Sequence, residues 1–490
     1  MRQLPPSASA LIGSLRGVGY SLETALADIV DNSIAAGAQR IDMRWDWVDG
    51  NPVAEISDDG CGMSEEALLE AMRFGGMGPQ VVRSETDLGR FGLGLKTASF
   101  SQCRSLSVVS KTAEGTFAFT WDLDQVEAAG GAWSLIDGAD GLPSDSLDAL
   151  ATRPSGTLVV WRKVDFGRAS DFPSHAAFLS DLERSERHLG MIFHRFLRGD
   201  ARRISIFLNG REISPWDPFM ENHPATNRSP ELRVRTPGGL VRARGFVLPH
   251  RDQFRSEQEY EAAGGIGGWT VHQGFYVYRQ KRLLSAGGWL GLGGSRAWTR
   301  EEPSRLARIA VDIPNTADQD WRIDIRKAIA RPPDTARRAL LKIAEDIRSK
   351  AREVFIHRGN HGPRSPKEEV ARMWDVAGPD DSRRYKIRRD HDLVALLNEQ
   401  LDDTGRGLLG ALLDQIERTV PVERVWFDVH DQGVPARAGS DNLVDAAMSI
   451  ARMMVKTGIP IDEAASRIHR MDPFDTIENL PEKLLQAWGS

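Results

Sequence analysis

Four short stretches, in a fixed order within the first third of the 490-residue chain, constrain its fold most strongly. From the N-terminus they are Asp28-Ile-Val-Asp-Asn32, Asp58-Asp-Gly-Cys-Gly62, Gly89-Arg-Phe-Gly-Leu-Gly-Leu-Lys-Thr97 and Ser155-Gly-Thr157. The first lies in a helical pattern of apolar residues, and the other three contain glycines that permit tight backbone turns. A fold that brings these stretches together forms a pocket lined by polar side chains and exposed backbone.

Composition limits the class of protein. The chain is 41% hydrophobic and 27% charged, which is ordinary for a globular protein, and its length predicts two to four domains. No apolar run approaches the roughly 18 residues that a membrane span needs, and no export signal is visible. Two cysteines, Cys61 and Cys103, are too few for a disulfide framework. We therefore expect a cytoplasmic protein with no membrane partner.

The periodicity of apolar residues predicts an α+β fold. Helices are expected at residues 21–36 and after Ser64, where Glu65, Glu66 and a Leu/Ala run look like a capped helix start. Strands are expected at 41–47, 52–57, 105–110, 116–121 and 157–162. A short helix is expected at 93–101, after a glycine-rich loop. These strands form an antiparallel sheet with helices on one face, which makes residues 1–165 the first predicted domain.

Two further domains are predicted, at residues 166–355 and 356–490. The second contains a strand pair at 204–213 with an Asn209-Gly210 turn, strands at 241–248 and 274–278, and a long helix at 334–355. The third follows a linker at 357–366 and is mainly helical, with one predicted strand at 422–429.

The first stretch places a carboxylate and an amide on one face of a helix. Asp28 and Asn32 are four residues apart, so they lie one turn above the other. An amide oxygen suits Mg²⁺, and the carboxylate can accept a proton from a water molecule directed at a γ-phosphate. The alternative interpretation is the solvated stripe of an amphipathic helix.

The second and fourth stretches are suited to holding a base. Asp58 can accept a hydrogen bond from an exocyclic amine such as that of adenine, while Gly60 and Gly62 allow the backbone to approach a flat ligand. A hydroxyl in Ser155-Gly-Thr157 would complete this end of the pocket. The alternative is an ordinary strand-to-helix turn.

The third stretch is suited to phosphates. Its glycines Gly89, Gly92 and Gly94 can present backbone N–H groups, Lys96 supplies a charge, and Thr97 or Ser99 a hydroxyl. It is not a P-loop, because Leu95 separates the last glycine from Lys96 and the residues before it are polar.

As a set, the stretches resemble the GHKL superfamily of ATP-binding domains, which includes gyrase, Hsp90, histidine kinases and MutL. Its motif residues match Asn32 (N box), Asp58, Gly60 and Gly62 (Asp-x-Gly-x-Gly box), Gly92, Gly94 and Lys96 (lid and phosphate box) and Thr157 (last box). The MORC branch and its bacterial relatives are most similar, because residues 274–284 resemble that branch's second-domain signature. The resemblance covers about residues 20–355.

The resemblance implies a Bergerat-type ATP-binding sandwich, an S5-like transducer domain and a mainly helical C-terminal module, with ATP and Mg²⁺ bound. It implies nucleotide contacts from Asn32, which also holds the metal, and from Asp58, Gly60, Gly62, Met63, Gly89, Gly92, Leu93, Gly94, Lys96, Thr97 and Thr157. The expected catalytic residues are Asp28 and Lys327, with Arg326 as the alternative to Lys327. Asp28 stands where the family has glutamate, so we expect slow hydrolysis.

The implied activity is an ATP-hydrolysing switch that forms an ATP-dependent homodimer. Its expected partner is DNA, in bacterial phage defence or restriction–modification, alongside unknown protein partners. Residues 331–389 contain sixteen Lys and Arg against nine Asp and Glu, on a chain whose net charge is −6, and are the expected DNA contact. The alternatives are a nucleotide-gated clamp or scaffold with negligible turnover, and an Hsp90-like chaperone.

Overall fold

The computed structural model describes residues 8–17, 19–48, 50–74, 94–130, 133–166, 174–199, 203–293, 297–317, 320–321, 330–356, 371–377, 384–422, 440–477 and 479–488. The chain divides into two compact units, residues 1–359 and 360–490. Residues 423–429 of the strand predicted at 422–429 lie outside the described residues.

The first unit begins with helices and strands in the predicted order. They are α1 (Ala8–Arg16), α2 (Leu22–Ala35), β1 (Arg40–Val48), β2 (Asn51–Asp58), α3 (Glu65–Met72), α4 (Gly94–Phe100), β3 (Cys103–Thr112), β4 (Gly115–Asp122), α5 (Leu123–Ala128), β5 (Ile136–Asp137), α6 (Ser144–Thr152) and β6 (Gly156–Val164). Of these, α1, α5, β5 and α6 are additions to the predicted set. The mixture of helices with a largely antiparallel sheet confirms the α+β prediction.

The first sheet extends past the predicted domain boundary at residue 165. Its order is β5-β4-β3-β6-β2-β1-β7-β8, where β7 (Ser205–Leu208) and β8 (Arg211–Glu212) follow helices α7 (His175–Ile192) and α8 (His194–Leu197). β7 runs parallel to β1, with Ile206 opposite Ile41 and Leu208 opposite Met43. All four side chains are buried. The strand pair joins this sheet because its apolar alternation matches that of β1.

Helix α2 lies at the centre of the helical layer. It packs against α4 and α7, and its buried residues include Leu22, Leu26, Ile29 and Val30. A second, polar set on the same helix is also buried and consists of Asp28, Asp31 and Ser33. Buried carboxylates and hydroxyls need hydrogen-bond partners, so these positions indicate a site rather than a simple core.

The second sheet contains β9 (Asn227–Arg228), β10 (Leu232–Thr236), β11 (Gly239–Val247), β12 (Gly274–Arg279), β13 (Arg282–Ala286) and β14 (Ala307–Ile313). Its order is β10-β11-β14-β12-β13, with β9 also paired to β11. Helix α9 (Glu257–Ala263) precedes β12. Helix α10 (Asp334–Ile356) packs on β10, β11 and β14, and a Cβ at Gly245 would lie 2.2 Å from Cγ1 of Ile347. One face of the sheet is therefore covered by α10.

The second unit is smaller and mainly helical. An antiparallel pair, β15 (Trp374–Ala377) and β16 (Arg384–Ile387), precedes helices α11 (Asp392–Gln400), α12 (Asp403–Arg418), α13 (Ser440–Lys456), α14 (Ile461–His469) and α15 (Leu480–Trp488). Its core includes Ala451, Ala464, Ile468 and Leu484. Among the helices described in either unit, none has the length and apolar character to span a bilayer.

Candidate nucleotide-binding site

A buried carboxylate at the end of β2 organises the site. The Ser33 hydroxyl donates to Oδ2 of Asp58 at 2.8 Å, and the Gly60 N–H donates to Oδ1 at 2.9 Å. Asp58 is 6% exposed, and burial raises the pKa of its carboxyl group. The backbone of Thr157 also hydrogen-bonds to this carboxyl group. The two carboxylate oxygens together have about four acceptor sites, so three donors leave room for a further one such as an exocyclic amine.

The turn after Asp58 packs closely against β3 and against the residue that follows α2. Gly62 has a φ of +68°, and a Cβ there would lie 2.0 Å from the carbonyl oxygen of Lys111 on β3. A Cβ at Gly60 would lie 2.8 Å from that of Ala36, just beyond α2. Both glycines are therefore required by close approach of the backbone, in addition to the left-handed conformation at Gly62.

A hydroxyl pair joins the last predicted stretch to this turn. Ser110 on β3 accepts the Met63 N–H at 2.8 Å, and its Oγ lies 3.0 Å from Oγ1 of Thr157. The Ser155 hydroxyl donates to the Gly60 carbonyl at 2.8 Å. The second and fourth stretches thus meet, together with Met63. Ser110 was missed from the sequence because a serine within an apolar strand gives no pattern; Ser33 had one signal, its place beside Asn32.

The two predicted residues of α2 differ in their surroundings. Asn32 is exposed, so its amide oxygen is available to a hydrated cation. Asp28 is 6% exposed, and the Tyr20 hydroxyl donates to its Oδ2 at 3.2 Å. A Cβ at Gly94 would lie 4.0 Å from that oxygen, which places Asp28 beside the start of α4.

The ammonium group of Lys96 is held inside the protein. Its Nζ donates to the carbonyls of Ala71, at 2.7 Å, and of Arg73, at 2.6 Å, and the residue is 1% exposed. Burial lowers the pKa of Lys96 to about 8. Lys96 therefore connects α4 to the end of α3, the two elements on either side of residues 75–93.

The remaining predicted residues have different outcomes. Thr97 is buried in α4, and the neighbouring Ser99 hydroxyl accepts the indole N–H of Trp161 at 2.8 Å. Gly89, Gly92 and Leu93 lie outside the described residues, as do Lys327 and its alternative Arg326.

A buried ion pair connects α2 to the second sheet. Nε of Arg282, on β13, lies 3.1 Å from both carboxylate oxygens of Asp31, and the two side chains are 4% and 2% exposed. Nη1 of Arg282 donates to the Leu283 carbonyl at 2.7 Å. Because Asp31 precedes Asn32 directly, the position of the predicted metal ligand depends on a residue of the other sheet.

Replacing Gly62 by alanine tests whether the turn is as crowded as the geometry indicates. Gly37 also has a positive φ, of +78°, but nothing lies within 4 Å of its Cβ position. Gly37→Ala should therefore show only the cost of the left-handed backbone, about 1–2 kcal/mol in the free energy of unfolding. Gly62→Ala should show a larger loss and weaker binding of a fluorescent ATP analogue. Equal losses in urea denaturation would contradict the close contact with Lys111.

Breaking the Asp31–Arg282 pair should be strongly destabilising. Asp31→Asn leaves a buried guanidinium without its counter-charge, which costs about 3–5 kcal/mol. Asp31→Leu combined with Arg282→Met should recover most of that loss. As a control, Lys350→Met removes the exposed pair with Asp346 and should change stability by less than about 1 kcal/mol. Urea denaturation would measure all three, and similar values for Asp31→Asn and the control would contradict the prediction.

The lowered pKa of Lys96 predicts a pH dependence of stability. Between pH 8 and pH 10.5 the unfolded chain keeps a proton at Lys96 that the folded protein has released. Raising the pH through this range should therefore stabilise wild type relative to Lys96→Met, with no change in the difference below it. The comparison is made by urea denaturation, with Lys342→Met on the exposed face of α10 as control. A difference independent of pH would show that burial does not shift this group.

Comparisons with known proteins match the part of the chain that contains this site. A family described as histidine kinase-, DNA gyrase B- and HSP90-like ATPase matches residues 20–157. The chain is also similar to ATPase morc-1 of Caenorhabditis elegans, with 37% identity over 90 residues, which is 18% of this chain and 10% of that protein. The match thus spans about a tenth of the relative's length. Residues 20–157, which contain Asp28, Asn32, Asp58 and Thr157, are therefore a GHKL-type ATPase domain, and the chain resembles a MORC ATPase.

Proposed function

We propose that this chain binds ATP with Mg²⁺, hydrolyses it slowly, and uses the bound nucleotide to control formation of a homodimer. One observation carries the proposal. Ser33 fixes the buried carboxylate of Asp58, while the adjacent Asn32 is exposed on the same helix. A base-binding group and a metal-binding group are thereby held a short distance apart, as a nucleoside triphosphate requires.

The base end of the proposed site uses groups that are already fixed. Asp58 accepts a hydrogen bond from the adenine amine, and Thr157 lies beside it across the β2–β6 pair. Gly60, Gly62 and Met63 supply the backbone against which the base lies. Because Ser33 and Gly60 hold the carboxylate before ligand arrives, little ordering is needed on binding.

At the phosphate end, Asn32 holds the metal. Bound Mg²⁺ withdraws charge from the phosphoryl oxygens and aligns them. Gly89, Gly92, Leu93, Gly94 and Thr97 are the proposed phosphate contacts. Lys96 and Lys327 are proposed to offset the charge that develops during hydrolysis. For Lys96 this requires exchange of a carbonyl partner for a phosphate oxygen.

Asp28 is the proposed base. Its carboxylate orients the attacking water and accepts its proton, and the Tyr20 hydroxyl keeps one oxygen in place. The side chain is one methylene shorter than glutamate, so the water must lie closer to α2. This geometry supports slow turnover.

Dimerisation and DNA binding form the wider proposal. Binding of ATP changes the conformation around the phosphates, and the resulting surface pairs with a second copy. DNA is the proposed partner, in a cytoplasmic role in phage defence or restriction–modification. Within residues 331–389, Arg384 and Lys386 are exposed, whereas Arg388 and Arg389 already pair with carboxylates at 2.7 Å and 2.6 Å.

The decisive experiment compares hydrolysis with dimerisation in three variants. Asp28→Asn should retain ATP binding and dimerise, with hydrolysis reduced by about 10²–10⁴-fold because the base is lost. Asn32→Ala should lose Mg²⁺-dependent binding and therefore both activities. Asp46→Asn is the control, since this exposed carboxylate lies on β1 rather than on α2. Phosphate release and sedimentation with ADP, ATP and a non-hydrolysable analogue measure the outcomes. If the wild-type protein did not bind nucleotide, the proposal would be refuted.

A clamp with negligible turnover is the second candidate. The hydrogen bond from Tyr20 favours it, because it occupies part of the carboxylate that would otherwise face water. In that case Asp28→Asn and wild type would show the same low rate of phosphate release, and both would dimerise with ATP. A rate difference between them excludes this candidate.

A further inference from the structure

The β10–β11 hairpin carries a concentrated positive surface on one face. Arg233 and Arg235 on β10, and Arg242 and Arg244 on β11, are all exposed and all separated by one residue along their strands. The pairing of β10 with β11 puts Arg233 directly opposite Arg242. We call these four residues the arginine face. The alternate residues of β11, Val241 and Ala243, are buried.

Nearby acids only partly balance this charge. Glu231 lies 2.6 Å from Arg233 and 4.0 Å from Arg244. Asp312 lies opposite Arg242 in the β11–β14 pair and forms an ion pair with a fifth arginine, Arg195, at 2.5 Å. A third acid, Asp320, lies against the hairpin turn at Gly238. Among the described residues the face therefore carries more cations than carboxylates.

The arrangement is unfavourable for folding alone. Like charges directly opposite each other in an antiparallel pair destabilise it, and Arg233 and Arg242 are such a pair. Neither burial nor packing accounts for the four guanidinium groups, because all four side chains are exposed. An external anion would remove the repulsion.

The hairpin holds these arginines in a fixed array. Thr236 donates to the Gly239 carbonyl at 2.8 Å, and Thr316 donates to that of Gly238 at 2.5 Å, which anchors the turn. β11 also pairs with β14, and α10 covers the opposite face. The arginine face is consequently presented on a rigid element whose other side is closed.

We propose that the arginine face binds the phosphate backbone of duplex DNA without reading its sequence. Alternate residues on a strand lie roughly 6.6–6.8 Å apart, so the four guanidinium groups can meet successive phosphates. Arginine binds phosphate through two parallel hydrogen bonds, and contacts of this type carry no sequence information. Leu240 is the one exposed apolar residue in the array, too little apolar surface for insertion into a bilayer. The inference rests on the DNA partner of the proposed function and names its surface.

The test compares two double variants. Arg235→Gln with Arg242→Gln removes two charges from the arginine face and leaves the Arg233–Glu231 pair in place. Arg203→Gln with Arg211→Gln is the control and removes two exposed arginines near β7 and β8, at the edge of the first sheet. These arginines already pair with Glu212 on β8 and with Glu186 on α7. Binding of fluorescent duplex DNA is followed by anisotropy across a salt series, without nucleotide. The slope of log K against log salt should become less negative by about 2 in the first variant only.

Stability and ATP hydrolysis separate this inference from the proposed function. The arginine-face variant should unfold at the wild-type temperature or above it, because repulsion is relieved, and should hydrolyse ATP at the wild-type rate without DNA. Equal salt slopes for wild type and both variants would overturn the inference while leaving the ATPase proposal intact. Binding of wild type to phosphatidylserine vesicles but not to DNA would also overturn it. If the protein bound DNA through this face but did not hydrolyse ATP, the arginine-face inference would stand and the ATPase proposal would fail.

Discussion

The hydrogen bonds to the Asp58 carboxylate are the constraint on which the first unit's site depends. They join the end of α2, through Ser33, to the turn after β2, through Gly60. The backbone carbonyl of Asp58 also accepts from Nη1 of Arg153 at 2.9 Å, just before β6. Three segments distant in sequence are therefore fixed around one residue. A carboxylate this deeply buried needs these hydrogen-bond donors, because burying it without partners would cost free energy of folding.

Lys96 shows how a charged residue can define the two ends of a segment. The carbonyls that it binds, of Ala71 and Arg73, are at the end of α3, while Lys96 itself belongs to α4. This ammonium–carbonyl contact therefore joins the end of α3 to α4, the described elements that precede and follow residues 75–93 in the sequence. In the proposed ATP-bound state the same ammonium would be attracted by phosphate. Phosphate and the α3 carbonyls would then compete for the ammonium group, so nucleotide binding would affect the contact between α3 and α4.

Local patterns in the sequence predicted much of the fold. The apolar spacing of α2 and the alternation in β1, β2, β3, β4 and β6 are strong, and the structure has these elements at nearly the predicted positions. β7 was predicted as a strand, but its parallel pairing with β1 was not, because that pairing joins residues more than 160 positions apart. β14 was missed because fully buried Arg308 interrupts its apolar pattern. The partners of Asp31 and Asp58 were also missed, since side-chain hydrogen bonds between distant elements leave no periodicity.

The ion pair between Asp31 and Arg282 has a thermodynamic consequence that works in both directions. Asp31 belongs to the helix that carries Asn32, and Arg282 belongs to the sheet whose far edge is the β10–β11 hairpin. If a ligand on either element shifts that contact, the two binding equilibria share one coupling free energy. A partner that strengthened ATP binding would then be bound more tightly, by the same factor, when ATP is present. Through this one buried ion pair, the ligand bound at each element would change the affinity for the ligand bound at the other.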